Sequence, residues 1–178
     1  MSEVKPDRWV TWVALTTAIM AVFAAITTLY VGKFSSRAIM HQAQETNEWA
    51  YYQAKSIKSY IYEIQKQKME LEMLMDRGKY TKDVADKVKK VLADYESKIK
   101  RYEKEKEEIK QAAEELAKSK SVAQEKAGNF GYSLIFLQIA IMLSSVAALT
   151  KKKELWYFGM ATCAGWVFFF LDAIYLFY

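Results

Sequence analysis

Charge is nearly absent from three long runs toward the two ends of this chain and crowded into its middle, and that segregation limits what the chain can fold into. Residues 9–31, 130–150 and 155–178 form three apolar runs that together carry one charged side chain, Asp172. Each run reaches the roughly 20 residues that an α-helix needs to cross about 30 Å of hydrocarbon. The mean hydropathy of −0.13 averages over this contrast and hides it. Trp9, Trp12 and Tyr30 stand near the ends of the first run, where amphipathic rings favour the headgroup region. A secretory signal has an apolar core of roughly 7–15 residues, so this longer run predicts a retained anchor even though Val22-Phe23-Ala24 resembles a cleavage site.

The rest of the composition supports helices. One proline and six glycines leave too little turn punctuation for a β-rich or α/β fold. The formal charge of +5 does not suggest nucleic acid, because lysines alternate with glutamates instead of forming an aromatic-lined basic patch. The lone cysteine, Cys163, has no partner for a disulfide. The expected class is therefore an all-α membrane protein: three transmembrane helices with a long antiparallel helical hairpin between the first and the second. Its divisions are an N-terminal span in 1–34, a charged hairpin stalk in 35–127 and a two-span hairpin in 128–178.

Within the middle segment, residues 35–76 and 81–126 both have helical character, and Arg77-Gly78-Lys79-Tyr80 supplies the only turn signal, with Thr81 as the N-cap of the returning helix. Steps of four and three connect Ala43, Asn47, Ala50, Ala54, Ile57, Ile61, Ile64, Lys68, Leu71 and Met75, which predicts the first arm's seam against the second. The second arm offers Val84, Val88, Val91, Tyr95, Tyr102, Ile109, Ala112, Leu116 and Ala123, interrupted by Lys98, Glu105 and Ser119. Pairs such as Asp94–Lys98 and Glu96–Lys100 describe a solvated helix face, each worth about 0.2–0.5 kcal/mol. Trp49, Tyr51, Tyr52, Tyr60, Tyr62 and Tyr80 lie mostly off the predicted seam on or near the first arm, either covering their own helix or packing on a neighbouring subunit, and aromatic enrichment at interfaces favours the neighbour.

Asp172 is the side chain most open to a functional role, because ionisable groups inside spans are rare. A pairing with Lys33 or Arg37 near the interface is the plainer expectation. Gln138 is the other candidate intramembrane polar site. Ala140, Ser144 and Ala148 in the second span, and Ala14, Ala18, Ala21 and Ala25 in the first, are expected to be packing faces. His41, the one histidine, has no second ligand beside it, and no metal, cofactor or catalytic constellation can be assembled. The chain is therefore expected not to be an enzyme.

Asn47-Glu48-Trp49-Ala50-Tyr51-Tyr52-Gln53-Ala54-Lys55-Ser56-Ile57-Lys58 resembles the signature of an uncharacterised bacterial membrane family, domain of unknown function 4337. Leu137-Gln138-Ile139-Ala140-Ile141, Ala148-Leu149-Thr150-Lys151-Lys152-Lys153 and Trp156 resemble its C-terminal half. The resemblance implies the span–stalk–span–span layout and a bacterial inner membrane, and it brings no activity or cofactor. As a family signature, Trp49, Tyr51, Tyr52, Gln53 and Lys55 become a candidate stalk interface. Lys151, Lys152 and Lys153 place their loop in the cytoplasm by the positive-inside rule, together with the N-terminus. The stalk and the C-terminus then fall on the periplasmic side.

Two functions are compatible with these features. The first is a non-enzymatic, membrane-anchored homo-oligomeric scaffold or adaptor, bound to the lipid bilayer, with an unidentified protein as a further candidate partner. The second is an oligomeric channel or transporter-like pore with an acidic ring at Asp172.

Overall fold

A computed structural model describes residues 8–75 and 81–176. Those residues form three helices, α1 (Arg8–Met75), α2 (Lys82–Thr150) and α3 (Lys153–Tyr175), with no strand among them. Each helix contains a stretch long and apolar enough to cross a membrane. The protein is thus an all-α, multi-pass membrane protein. The expected turn at Arg77-Gly78-Lys79-Tyr80 lies outside the described residues. Thr81 stands at the start of α2, where its carbonyl accepts the first helical bonds from the N–H groups of Val84 (3.0 Å) and Ala85 (3.1 Å).

The chain divides into two compact units, one built from residues up to Met40 and from Ser119 on, the other from His41–Lys118. The first contains the three apolar stretches. Its core is narrow and built largely from small side chains: Val13, Met20 and Thr27 at seven-residue spacing on α1, and Phe130, Ser133, Leu137, Ala140, Ser144 and Ala147 on α2. In hydrocarbon no hydrophobic force drives helices together, so close backbone approach and interhelical hydrogen bonds must do it. Gly159 supplies the approach, since a Cβ there would lie 3.1 Å from the Ala140 carbonyl oxygen and 3.2 Å from Ser144 Oγ. The small-residue face expected at Ala140 and Ser144 therefore packs on α3. The one expected on α1 does not face the core: Ala14, Ala18, Ala21 and Ala25 are all exposed.

Hydrogen bonds tie the three helices of this unit. The indole Nε1 of Trp156 donates to Thr16 Oγ1 (3.2 Å), and that of Trp166 to Thr27 Oγ1 (3.4 Å). Both hydroxyls also donate back to carbonyls of their own helix, which frees their lone pairs to accept. Rings of Tyr30, Phe34 and Phe170 surround buried Phe130 at 5.1–5.6 Å. The connection between α2 and α3 needs only Lys151, in the left-handed conformation (φ 54°), and extended Lys152.

In the second unit, residues 41–75 of α1 contact the early part of α2, and the contacts step in opposite directions along the two. Ser59 bonds Glu103, while Lys66, further along α1, pairs with Glu96, which comes earlier in α2.

Candidate functional site

The side chains of the second unit sort into two opposed faces of α1. The face turned toward α2 comprises His41, Glu45, Glu48, Tyr52, Lys55, Ser59, Tyr62, Lys66, Met69 and Met73, all buried or partly buried. These positions alternate by three and four residues, a heptad seam in its own right. It is not the seam that the apolar pattern predicts. Ala43, Asn47, Ala50, Ala54, Ile57, Ile61, Ile64, Lys68, Leu71 and Met75 keep the same spacing on the opposite face, and every one of them is exposed. The expectation for the first arm is therefore reversed. On α2 it largely holds, with Tyr102 buried, Val88, Tyr95, Lys98, Glu105, Ile109, Ala112 and Leu116 partly buried, and only Val84 and Val91 opening to the surface.

The reversal has a chemical cause. The inward face of α2 offers tyrosines and charges, and the polar-aromatic face of α1 complements them. Tyr62 lies 5.4 Å from Tyr95 and 6.0 Å, nearly parallel, from Tyr102. Lys55 pairs with Glu105 at 2.5 Å while its ammonium sits 5.4 Å from the Tyr102 ring. Ser59 Oγ donates to Glu103 (3.0 Å), which also receives both bonds of Lys106 (2.9 and 3.1 Å). Lys106, 9% exposed, lies within 6 Å of the Tyr52 and Tyr60 rings, so its stem is covered by aromatic surface while its head stays paired. A polar seam is tolerable because its charges are partnered.

These pairings shift the groups that form them. The hydrogen bond from Lys106 holds the Glu103 carboxyl below its ordinary range, and the same bond raises Lys106. The hydrogen bond from Lys55 does the same to Glu105. The contacts of Ser59 with Glu103 and of Lys55 with Glu105, which cross from α1 to α2, fix the register of the two helices. Among the described residues no group of three or more potential metal ligands occurs.

The Trp49–Lys55 motif is divided between the faces. Tyr52 and Lys55 belong to the inward seam. Tyr51 (62% exposed) and Gln53 flank the outward stripe, and Trp49 stands at the boundary with its ring 5.6 Å from that of Tyr52. A shallow groove of about 310 Å³ lies over Asn47, Ala50, Tyr51 and Ala54 on the outward side. Tyr52 and Tyr62 thus pack on the second segment of their own chain. The side chains left exposed on this segment of α1 are Tyr51, Tyr60 and the aliphatic ones that the pattern had placed inside.

In the other unit, Asp172 is 1% exposed and accepts a 2.6 Å hydrogen bond from the Asn129 amide. Asn129 sits at the edge of the second apolar run, close in depth to Asp172, and its matching depth is the signal that could have nominated it. Lys126 donates to the Ile174 carbonyl (3.2 Å) in the same region. Lys33 lies over the Tyr30 and Phe34 rings, and Arg37 over Phe34. Gln138 is exposed on the surface of α2.

A family model described as Domain of unknown function (DUF4337) matches residues 9–176, nearly the whole chain. No curated protein and no solved structure gives a match.

Proposed function

The chain belongs to the DUF4337 family, and from that premise we propose that it is a non-enzymatic, membrane-anchored scaffold that self-associates through the outward face of α1. One observation carries the proposal: Ile57, Ile61, Ile64, Leu71 and Met75 are 60%, 48%, 65%, 56% and 72% exposed along a single heptad stripe. Completing the burial of five such side chains is worth about 1 kcal/mol each, on the order of 5 kcal/mol in all. That rivals the whole stability of a small domain. A chain that puts its polar seam inside and its isoleucines outside is arranged for a second helix to cover them.

The flanks agree. Gln44, Thr46, Tyr51, Gln53, Tyr60, Gln65 and Gln67 border the stripe, with Lys58 and Glu72 as charged exceptions close beside it. Depletion of charge and enrichment in tyrosine distinguish the centre of an interface from solvated surface. Exposed Ala14, Ala18, Ala21 and Ala25 offer a span face that another helix can approach closely. The ion-path alternative has no comparable support, since Asp172 is turned toward Asn129 of its own chain.

For the placement, the three clustered lysines at 151–153 support a cytoplasmic loop in a bacterial inner membrane, with the central hairpin and the C-terminus on the periplasmic side. A cysteine introduced at exposed Lys104 should then react with an impermeant maleimide in intact cells, and one introduced at Lys152 should not. The function itself is tested by the particle mass of detergent-purified full-length protein. An integral multiple of the 20.6 kDa chain is expected, falling to one chain in the double variant Ile57→Asp, Ile61→Asp without loss of helicity. A monomeric parent protein would end the proposal.

A further inference from the structure

The outward stripe also carries information about what covers it. Taking the self-association proposed above as given, we infer that the occupant is the same segment of a second copy, in a parallel, in-register, two-stranded coiled coil.

In heptad terms the three-residue steps of the stripe begin at Asn47, Ala54, Ile61 and Lys68 and end at Ala50, Ile57, Ile64 and Leu71. The first set, completed by Met75, occupies a positions and the second, with Ala43, occupies d. Both polar interruptions, Asn47 and Lys68, fall on a. In a parallel in-register pair each a residue meets its own copy, so the two Asn47 amides can donate and accept between themselves. Sliding the pair by one heptad sets Asn47 against Met40 or Ala54, and Lys68 against Ile61 or Met75. An antiparallel pair sets a against d, and the d layer has no polar residue. In each alternative the Asn47 amide is buried without a partner, and a single such group at a is enough to fix register and strand number.

Charge complementarity supports the same pairing. Lys68 lies 4.0 Å from Glu72, one turn further on. Glu72 borders the stripe, where it can receive Lys68 of the partner copy as well as its own. Chain direction agrees too: copies inserted with one topology enter the 41–75 segment from the same end. The opposite face of α1 is already occupied by α2 through Tyr62, Lys55 and Ser59, so one face remains and two strands satisfy it.

Single cysteines at Ala50, Ile57 and Ile64, each in a full-length Cys163→Ala background, test this after mild oxidation in native membranes, with Lys104→Cys as the outward control on α2. The expected result is a disulfide-linked species of twice the chain mass for all three stripe positions and none for the control. Membranes containing Ala50→Cys and Ile64→Cys chains together should give no mixed product. Adding Asn47→Leu should keep the association but allow Ala50→Cys to link to Ile57→Cys. A multimeric particle without these same-residue links, a particle of three or more chains, or links to a protein of different mass would overturn this inference and leave self-association itself standing. An unchanged linking pattern in Asn47→Leu would remove Asn47 from the role of setting register. A monomeric particle would overturn both the pairing and the proposed function.

Discussion

The Asn129–Asp172 contact is a 2.6 Å polar link that joins α2 to α3. Asn129→Ala should lower the stability of the detergent-purified protein by about 1–2 kcal/mol, seen as a lower thermal midpoint, because the Asp172 carboxyl loses that donor. Asp172→Asn keeps an acceptor and should lose less. Polarity inside a span made Asp172 conspicuous in the sequence. Asn129, at the margin of an apolar run, carries no such contrast, because its importance comes from a neighbour 43 residues away. The carboxylates of the second unit make a separate prediction. Glu96, Glu103 and Glu105 are held below the ordinary value of 4.5 by Lys100, Lys106 and Lys55, so they bind fewer protons folded than unfolded at moderately acid pH. Their stabilisation is present above about pH 4.5 and is lost as pH falls through the lowered values. Lys98 and Lys106, raised above 10.5 by Asp94 and Glu103, stabilise below that value and stop doing so as pH rises through the raised ones. Hydrogen exchange at residues 95–106 in the full-length protein should therefore be flat between about pH 5.5 and 9.5, after correction for intrinsic rates, and accelerate on acidification below about 4.

At the scale of the element, helix packing depends on where side chains are missing. Gly159 meets the backbone oxygen of Ala140, which cannot move without separating the helices. Gly165 meets the root of the Phe136 ring, with Cδ1 2.7 Å and Cγ 3.0 Å from a built Cβ, and that ring is stacked on Phe169. Gly159→Ala and Gly165→Ala should each lower stability by about 1–3 kcal/mol, measured by thermal unfolding in detergent. Gly32→Ala, which meets nothing within 4 Å, should be neutral or slightly stabilising. The all-helical class and the three apolar stretches were legible in the sequence because apolar runs and a 3.5-residue period are local properties; that α1 and α2 each run unbroken through a span and beyond it was not. The facing of α1 was not. Two stripes with one spacing lie on opposite sides of the same helix, and hydrophobicity singles out the stripe with more isoleucine. Which stripe turns inward depends on Tyr95, Tyr102, Glu103 and Lys106 of α2, and periodicity along α1 contains no term for them. The Trp49–Lys55 motif was visible as a cluster, yet its split between the two faces required knowing that orientation.

For the whole molecule, the two opposed faces of α1 set how many neighbours it can hold. A helix that is adhesive on both sides is bivalent, and bivalent units propagate: each new member leaves an open site for the next. The α2 segment saturates one of those sites from within the same chain. On the pairing proposed above, this segment of α1 keeps a single adhesive face, and a unit with one such face stops at pairs. Under that pairing, residues 81–118 would act as an intramolecular chain terminator. Weakening their grip, as Tyr62→Ala with Tyr102→Ala would, should be seen in an added population of particles larger than the parent assembly. The closing ion pairs sit at the acid-sensitive seam, so acidification below about pH 4 should push the protein in the same direction. A lattice of open-ended growth would then be the state that the returning helix suppresses, and its restraint would rest on a few tyrosines and lysines while the isoleucines supplied the adhesion.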